Sequence, residues 1–208
     1  MRFFENVIDI KDEILSGKIH LLDVRNANDF INQHIENSIS LPFSEKGLAD
    51  RARVILSEPN DVLIVVDNED QALILEKQFA TTAYKVIGFV KDILEVVNQI
   101  DLLLTNIGQI SIESLVKSKN MRVLDVRESI EWETGHFPGA ILQQLSTIKN
   151  DLSRIPSDVE LAVICEAGIR SLTAVSLLKK NGYKQLFNVV EGTAGYRKLG
   201  EKLEFYKE

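Results

Sequence analysis

Short apolar runs alternate with stretches of helical spacing along the whole chain. Leu21-Leu22-Asp23-Val24, residues 61–66, Val123-Leu124-Asp125-Val126 and residues 161–164 are too short for buried helices and rich in branched side chains, so they read as strands. Tyr84-Lys85-Val86-Ile87 and Tyr183-Lys184-Gln185-Leu186 read as two more. Residues 8–17, 71–79, 111–118 and 171–180 place apolar side chains at helical intervals, the last as an amphipathic helix. Short apolar strands alternating with helices predict mostly parallel sheets covered on both faces, an α/β class.

The same pattern occurs twice. Leu21-Leu22-Asp23-Val24-Arg25 returns as Val123-Leu124-Asp125-Val126-Arg127, and Phe30, His34 and Ile39 return as Trp132, His136 and Ile141 with the spacing kept. Tyr84 and Tyr183 open matching strands. Each half reads helix, strand, helix, strand, helix, strand, which predicts two domains, residues 1–105 and 106–208. The polar, glycine-containing stretch 105–109 is the predicted join.

Composition narrows the class. Of 208 residues 45% are apolar and 26% charged, as in soluble globular chains. No apolar run spans a membrane, and the start of the chain has no signal-peptide core, so a cytoplasmic location and no membrane partner are expected. A net charge of −7 argues against nucleic acid as a partner. Three histidines and one cysteine lack metal-ligand spacing, so neither a metal site nor a cofactor is expected. One cysteine forms no internal disulfide, and a free thiol suits a reducing compartment.

That cysteine is the richest feature. Cys165-Glu166-Ala167-Gly168-Ile169-Arg170-Ser171 follows an apolar run and precedes a helical one. A loop between a strand end and a helix start turns amide N–H groups and the positive end of a helix dipole on one point, which favours a thiolate there. Gly168 permits a positive φ, and Arg170 supplies a positive charge. Asp125 and Arg127 end an apolar run and recur as Asp23 and Arg25 in the half that lacks the thiol, so they read as loop support. The same recurrence makes His136, the mate of His34, structural, and Trp132 reads as core.

Leu124-Asp125-Val126-Arg127, then Glu131-Trp132-Glu133-Thr134-Gly135-His136-Phe137-Pro138-Gly139-Ala140, then the Cys165 loop and Val190-Glu191-Gly192-Thr193-Ala194-Gly195-Tyr196, resemble the rhodanese (sulfurtransferase) family. The resemblance is strong from about Gln109 onward and weak before it. It implies two rhodanese-like, doubly wound domains, with the reactive cysteine at the end of a central strand. It further implies sulfur transfer through a Cys165 persulfide, a small-molecule sulfur donor with a thiol or cyanide acceptor, and donors that include protein persulfides. The six positions from Cys165 to Arg170 match the sulfur-transferring type; related phosphatases have one residue more. In the first half the cysteine position is expected at Asp67, in a loop with neither glycine nor arginine, so that domain is expected to keep the fold and lose the chemistry. Glu166 departs from the basic loops of thiosulfate-specific members. Either its carboxylate disfavours a small dianionic donor, or it faces solvent. The alternative to an enzyme is a non-catalytic persulfide-binding or regulatory module that partners a persulfide-oxidising enzyme.

Overall fold

The computed structural model describes residues 2–4, 7–56, 61–100 and 102–205. The chain divides into two compact units, Met1–Asn106 and Ile107–Glu208. In the first unit a 3-10 turn (Ile8–Ile10) leads into α1 (Lys11–Leu15), β1 (Ile19–Asp23), α2 (Ala27–Asn32), β2 (His34–Ile35), β3 (Ile39–Ser40), α3 (Leu48–Ile55), β4 (Asp61–Val65), α4 (Glu69–Phe79), β5 (Lys85–Val90), α5 (Ile93–Ile100) and β6 (Leu104–Thr105). The second runs β7 (Gly108–Ile110), α6 (Ile112–Lys117), β8 (Arg122–Asp125), α7 (Ser129–Trp132), β9 (Ile141–Leu142), α8 (Leu145–Ile148), β10 (Leu161–Ile164), α9 (Ile169–Lys180), β11 (Leu186–Val189) and α10 (Gly192–Lys198).

Each unit holds a parallel sheet with helices on its faces. The strand orders are β3-β1-β4-β5 and β7-β11-β10-β8-β9. The central strands β4 and β10 are buried almost end to end, as strands covered on both faces must be. The stretch expected as a join is largely strand: β6 pairs antiparallel with β2, and β7 forms an edge of the second sheet. Two- and three-residue strands are too short to leave an apolar alternation, which is why the pattern reads past them. Among the described residues no helix is long and apolar enough to cross a membrane.

The α9 helix departs from the amphipathic expectation, since every residue from Ser171 to Leu178 is buried. Its two serines, threonine and alanine let it sit close to β10, β11 and α8, and an enclosed helix needs no polar face. The matching tyrosines anchor the same point in each unit: Tyr84 Oη donates to the Leu56 carbonyl at 3.2 Å and Tyr183 Oη to that of Ile155 at 2.9 Å.

A buried ion pair ties the strand ends together. Asp125 and Arg127 are 0% and 1% exposed. Arg127 Nη2 lies 2.8 Å from Asp125 Oδ2 and also donates to the Gly135 carbonyl at 3.0 Å. Arg25 repeats both contacts with Asp23 (2.7 Å) and the Gln33 carbonyl (2.9 Å). Removing one partner of such a pair leaves an uncompensated charge, at a cost of about 3–5 kcal/mol. Arg127→Ala is therefore expected to destabilise the second unit by about that much, while Lys85→Ala, which breaks an exposed pair with Asp61, costs under about 1 kcal/mol. Trp132, the chain's only tryptophan, reports the second unit in urea titrations, and far-UV circular dichroism followed in the same titrations reads Lys85→Ala. An unmoved midpoint for Arg127→Ala would show the pair to be dispensable.

Candidate functional site

Cys165 directly follows β10, and residues 165–168 lead into α9. The loop is held by its carbonyls: that of Cys165 accepts the Thr193 N–H at 2.8 Å and that of Glu166 the Ala194 N–H at 3.1 Å. These bonds need the first turn of α10 to lie directly against the loop, and two glycines make that possible. A Cβ on Gly192 (φ 60°) would fall on the Cys165 and Glu166 carbonyl oxygens, and one on Gly168 (φ 86°) on the Val190 carbonyl. With the carbonyls turned into α10, the amide N–H groups of residues 166–170 donate to no oxygen among the described residues. Unengaged amides at a strand–helix junction suit an anion.

The side chains of the loop separate into engaged and outward groups. Cys165 is 1% exposed, with Sγ 3.4 Å from the Ser171 hydroxyl, and that hydroxyl lies 2.6 Å from Asn188 Oδ1. Ala167 and Ile169 are exposed and Gly168 is buried. Arg170 does not offer a free positive charge. Its Nη1 and Nη2 meet the two carboxylate oxygens of Glu131 at 2.5 and 2.8 Å. Each partner moves the other: Arg170 holds the Glu131 carboxyl below the ordinary glutamate range, and Glu131 raises the guanidinium further. Glu166 neither stands beside the thiol as a lone charge nor simply faces solvent. Its carboxylate accepts from Thr193 Oγ1 at 2.8 Å, pairs with Arg197, and lies 3.9 Å from Arg127 Nη1. Asp125 and Arg127 stand behind the loop, because β8 pairs with β10 and the Val126 N–H donates to the Ile164 carbonyl at 2.9 Å. His136 Nδ1 lies 3.1 Å from the neighbouring Phe137 carbonyl, and its backbone pairs with Glu204. Sequence reasoning gave no role to Glu131, Asn188, Thr193 or Arg197. Only the tertiary contacts bring them to the loop.

The first unit corrects one expectation. β1 pairs Asp23 with Val65, and β8 pairs Asp125 with Ile164, so the residue in the place of Cys165 is Val66 and not Asp67. Val66 is fully buried. Two of the loop amides are met by side chains here: the Asp67 N–H by Gln71 Oε1 and the Gln71 N–H by the capping Asn68, both at 3.0 Å. Where Gly168 approaches Val190, the first unit has Glu69 and Lys91, joined by an ion pair of 3.1 Å, and Ile93 stands at the position of Gly192.

Comparison with known proteins agrees with this architecture. The Rhodanese-like domain matches residues 7–96 and 111–199. The putative sulfur carrier protein YrkF of Bacillus subtilis is 33% identical over 42% of this chain and 50% of its own length. The probable adenylyltransferase/sulfurtransferase MoeZ of Mycobacterium tuberculosis is 29% identical over 40% of this chain and 22% of its own. The chain thus spans half or less of these relatives. The crystal structure of a rhodanese-related protein from Thermoplasma volcanium covers 48% of the chain and 99% of that protein at 28% identity, with a TM-score of 0.45. With both repeats matched by that domain, the chain belongs to the rhodanese-like family.

Proposed function

We propose that the second domain, residues 106–208, is a sulfurtransferase that carries sulfane sulfur on Cys165, and that the first, residues 1–105, keeps the fold without the chemistry. The observation that carries this reading is a lone thiol at the head of a loop whose amides meet no other acceptor among the described residues. Such amides favour negative charge on sulfur, and the thiolate is the nucleophilic form. Membership of the family and the sulfur-carrier and sulfurtransferase names of two relatives support it.

In this cycle the Cys165 thiolate attacks the outer sulfur of thiosulfate or of an organic persulfide. A new S–S bond forms, the donor's S–S bond breaks, and sulfite or a thiolate leaves with the electron pair. The product is a Cys165 persulfide with one negative charge on its outer sulfur, a charge the loop amides can hold. A thiolate or cyanide then takes that sulfur and returns the Cys165 thiolate. Charge balances in both steps, and neither requires an oxidant, a metal or another cofactor. Residues 166–171 surround the incoming donor, and Asp125 with Arg127 brace the strand end beneath them. A free reactive thiol of this kind is compatible with the reducing cytoplasm. The second reading, a persulfide-binding module without turnover, is favoured by one observation, the 1% exposure of Cys165. Multiple turnovers of donor per protein would exclude it.

Cys165→Ala is expected to reduce sulfur transfer to background while far-UV circular dichroism stays unchanged. Val66→Cys in that background is expected to form no persulfide, since the side chains of Gln71 and Asn68 already take the Asp67 and Gln71 N–H groups of that loop. Mass spectrometry after incubation with thiosulfate reads both. A sulfur adduct on the grafted thiol would show the first domain's loop to be competent.

Arg170 lies within electrostatic reach of the Cys165 sulfur, but its charge is matched by Glu131. Glu131→Gln keeps an acceptor for the Glu128 N–H and releases that charge. It is expected to raise kcat/KM for thiosulfate about fivefold, the equivalent of about 1 kcal/mol of Coulombic attraction at partial exposure, and to change that for glutathione persulfide less. Equal changes for both donors would make the pair a structural tether only.

A further inference from the structure

We propose that Asn188 is a positioning residue that decides which way the Ser171 hydroxyl points at the Cys165 sulfur. The inference rests on Cys165 being the reactive group. Asn188 lies on β11 between β10 and β7, in a strand of Leu186, Phe187 and Val189, and is 2% exposed. A buried amide in such a strand is costly without hydrogen bonds. Its Oδ1 is 2.6 Å from Ser171 Oγ, Ser171 is fully buried, and its Oγ is 3.4 Å from Cys165 Sγ. The three side chains form a buried polar chain from the sheet to the sulfur.

The first unit lacks all three residues of this chain. Strand register places Val66 where the second unit has Cys165 and Phe89 where it has Asn188, and the equal count from there to the repeated tyrosines places Ala72 where it has Ser171. All three replacements are apolar and buried. If Asn188 served only the packing of its own strand, nothing would link its replacement to that of a thiol one strand away.

The chemistry requires a chain that works in both directions. With a neutral thiol, S–H donates to Ser171 Oγ, and the Ser171 O–H donates to Asn188 Oδ1. A thiolate or a persulfide only accepts, so the Ser171 O–H must turn to the sulfur, and its oxygen then needs a donor. Rotation of the Asn188 amide by half a turn presents Nδ2–H in place of Oδ1 without changing the shape of the side chain. Asparagine serves both states. Aspartate serves only the first, and leucine neither.

Iodoacetamide alkylation of Cys165, followed across pH in the full-length protein, tests this without any sulfur donor. Asn188→Asp is expected to slow alkylation at neutral pH about tenfold, near the low end of what a hydrogen bond to a charged group is worth, with the rate recovering at alkaline pH. Asn188→Leu, which takes one bond from each state, is expected to change the rate little. Ser171→Ala should show the loss seen in Asn188→Asp, and Ser171→Ala/Asn188→Asp no more than that, because Asn188 acts through Ser171. Losses that multiply in the double variant, a slowing in Asn188→Leu as large as in Asn188→Asp, or a slowing that persists at every pH would overturn the proposal. Wild-type alkylation in Asn188→Asp overturns it equally; should that variant fail to fold by Trp132 fluorescence, wild-type alkylation in Ser171→Ala does so. Sulfur loading from thiosulfate is scored separately in the wild type. Failure there and with glutathione persulfide as well would sink the transferase reading and leave the alkylation result to stand.

Discussion

The candidate site depends on a backbone contact that leaves no room for a side chain. The Cys165 and Glu166 carbonyls can reach the N–H groups of Thr193 and Ala194 only because Gly192 and Gly168 have no Cβ. That contact fixes the sense of the loop's peptide planes. Carbonyls that face α10 leave the amides of residues 166–170 without an acceptor among the described residues. The electrostatics of the site are thus a consequence of steric permission. Ion pairs around the rim, Arg170 with Glu131 and Arg197 with Glu166, then match the side-chain charges, so backbone dipoles rather than lone cations set the local field.

The first unit shows what the fold keeps when that contact is lost. The Asp23–Arg25 pair, the Tyr84 anchor and the parallel register all persist, because they hold the sheet and not the loop. At the strand–helix junction Asn68 caps α4 in the ordinary way, its side chain accepting the Gln71 N–H. A capped helix start is the stable solution for orphan amides. The uncapped start of α9, where glycine holds the cap position and no side chain closes it, leaves those amides open to a ligand.

Much of this was legible in the sequence. The α/β class, the two repeats, strand residues 161–164 and the roles of Asp125 and Arg127 as a pair all follow from local pattern. Edge strands such as β3 and β9 did not, because two residues carry no period. The buried face of α9 was misread because serine and threonine look polar in sequence and act as small packing residues inside. The place of the missing cysteine was off by one for an instructive reason. Counting back from the repeated tyrosines leads to Val66, one residue before Asp67 and still inside the buried run. Strand register obeys the buried positions. The partners of Arg170 and Glu166 lie dozens of residues away, and no local pattern announces them.

The depth of Cys165 has a consequence for reach. At 1% exposure the sulfur atom lies beneath the surface formed by its own loop. On the proposed reading a donor would have to bring a slender tip down to it, and a sulfane sulfur at the end of a chain is such a tip. With that sulfur attached, the reacting atom would stand one S–S bond, about 2.0 Å, beyond Sγ. The two halves of the proposed transfer would therefore meet different depths, and a donor and an acceptor of the same chemical kind need not be equally slim.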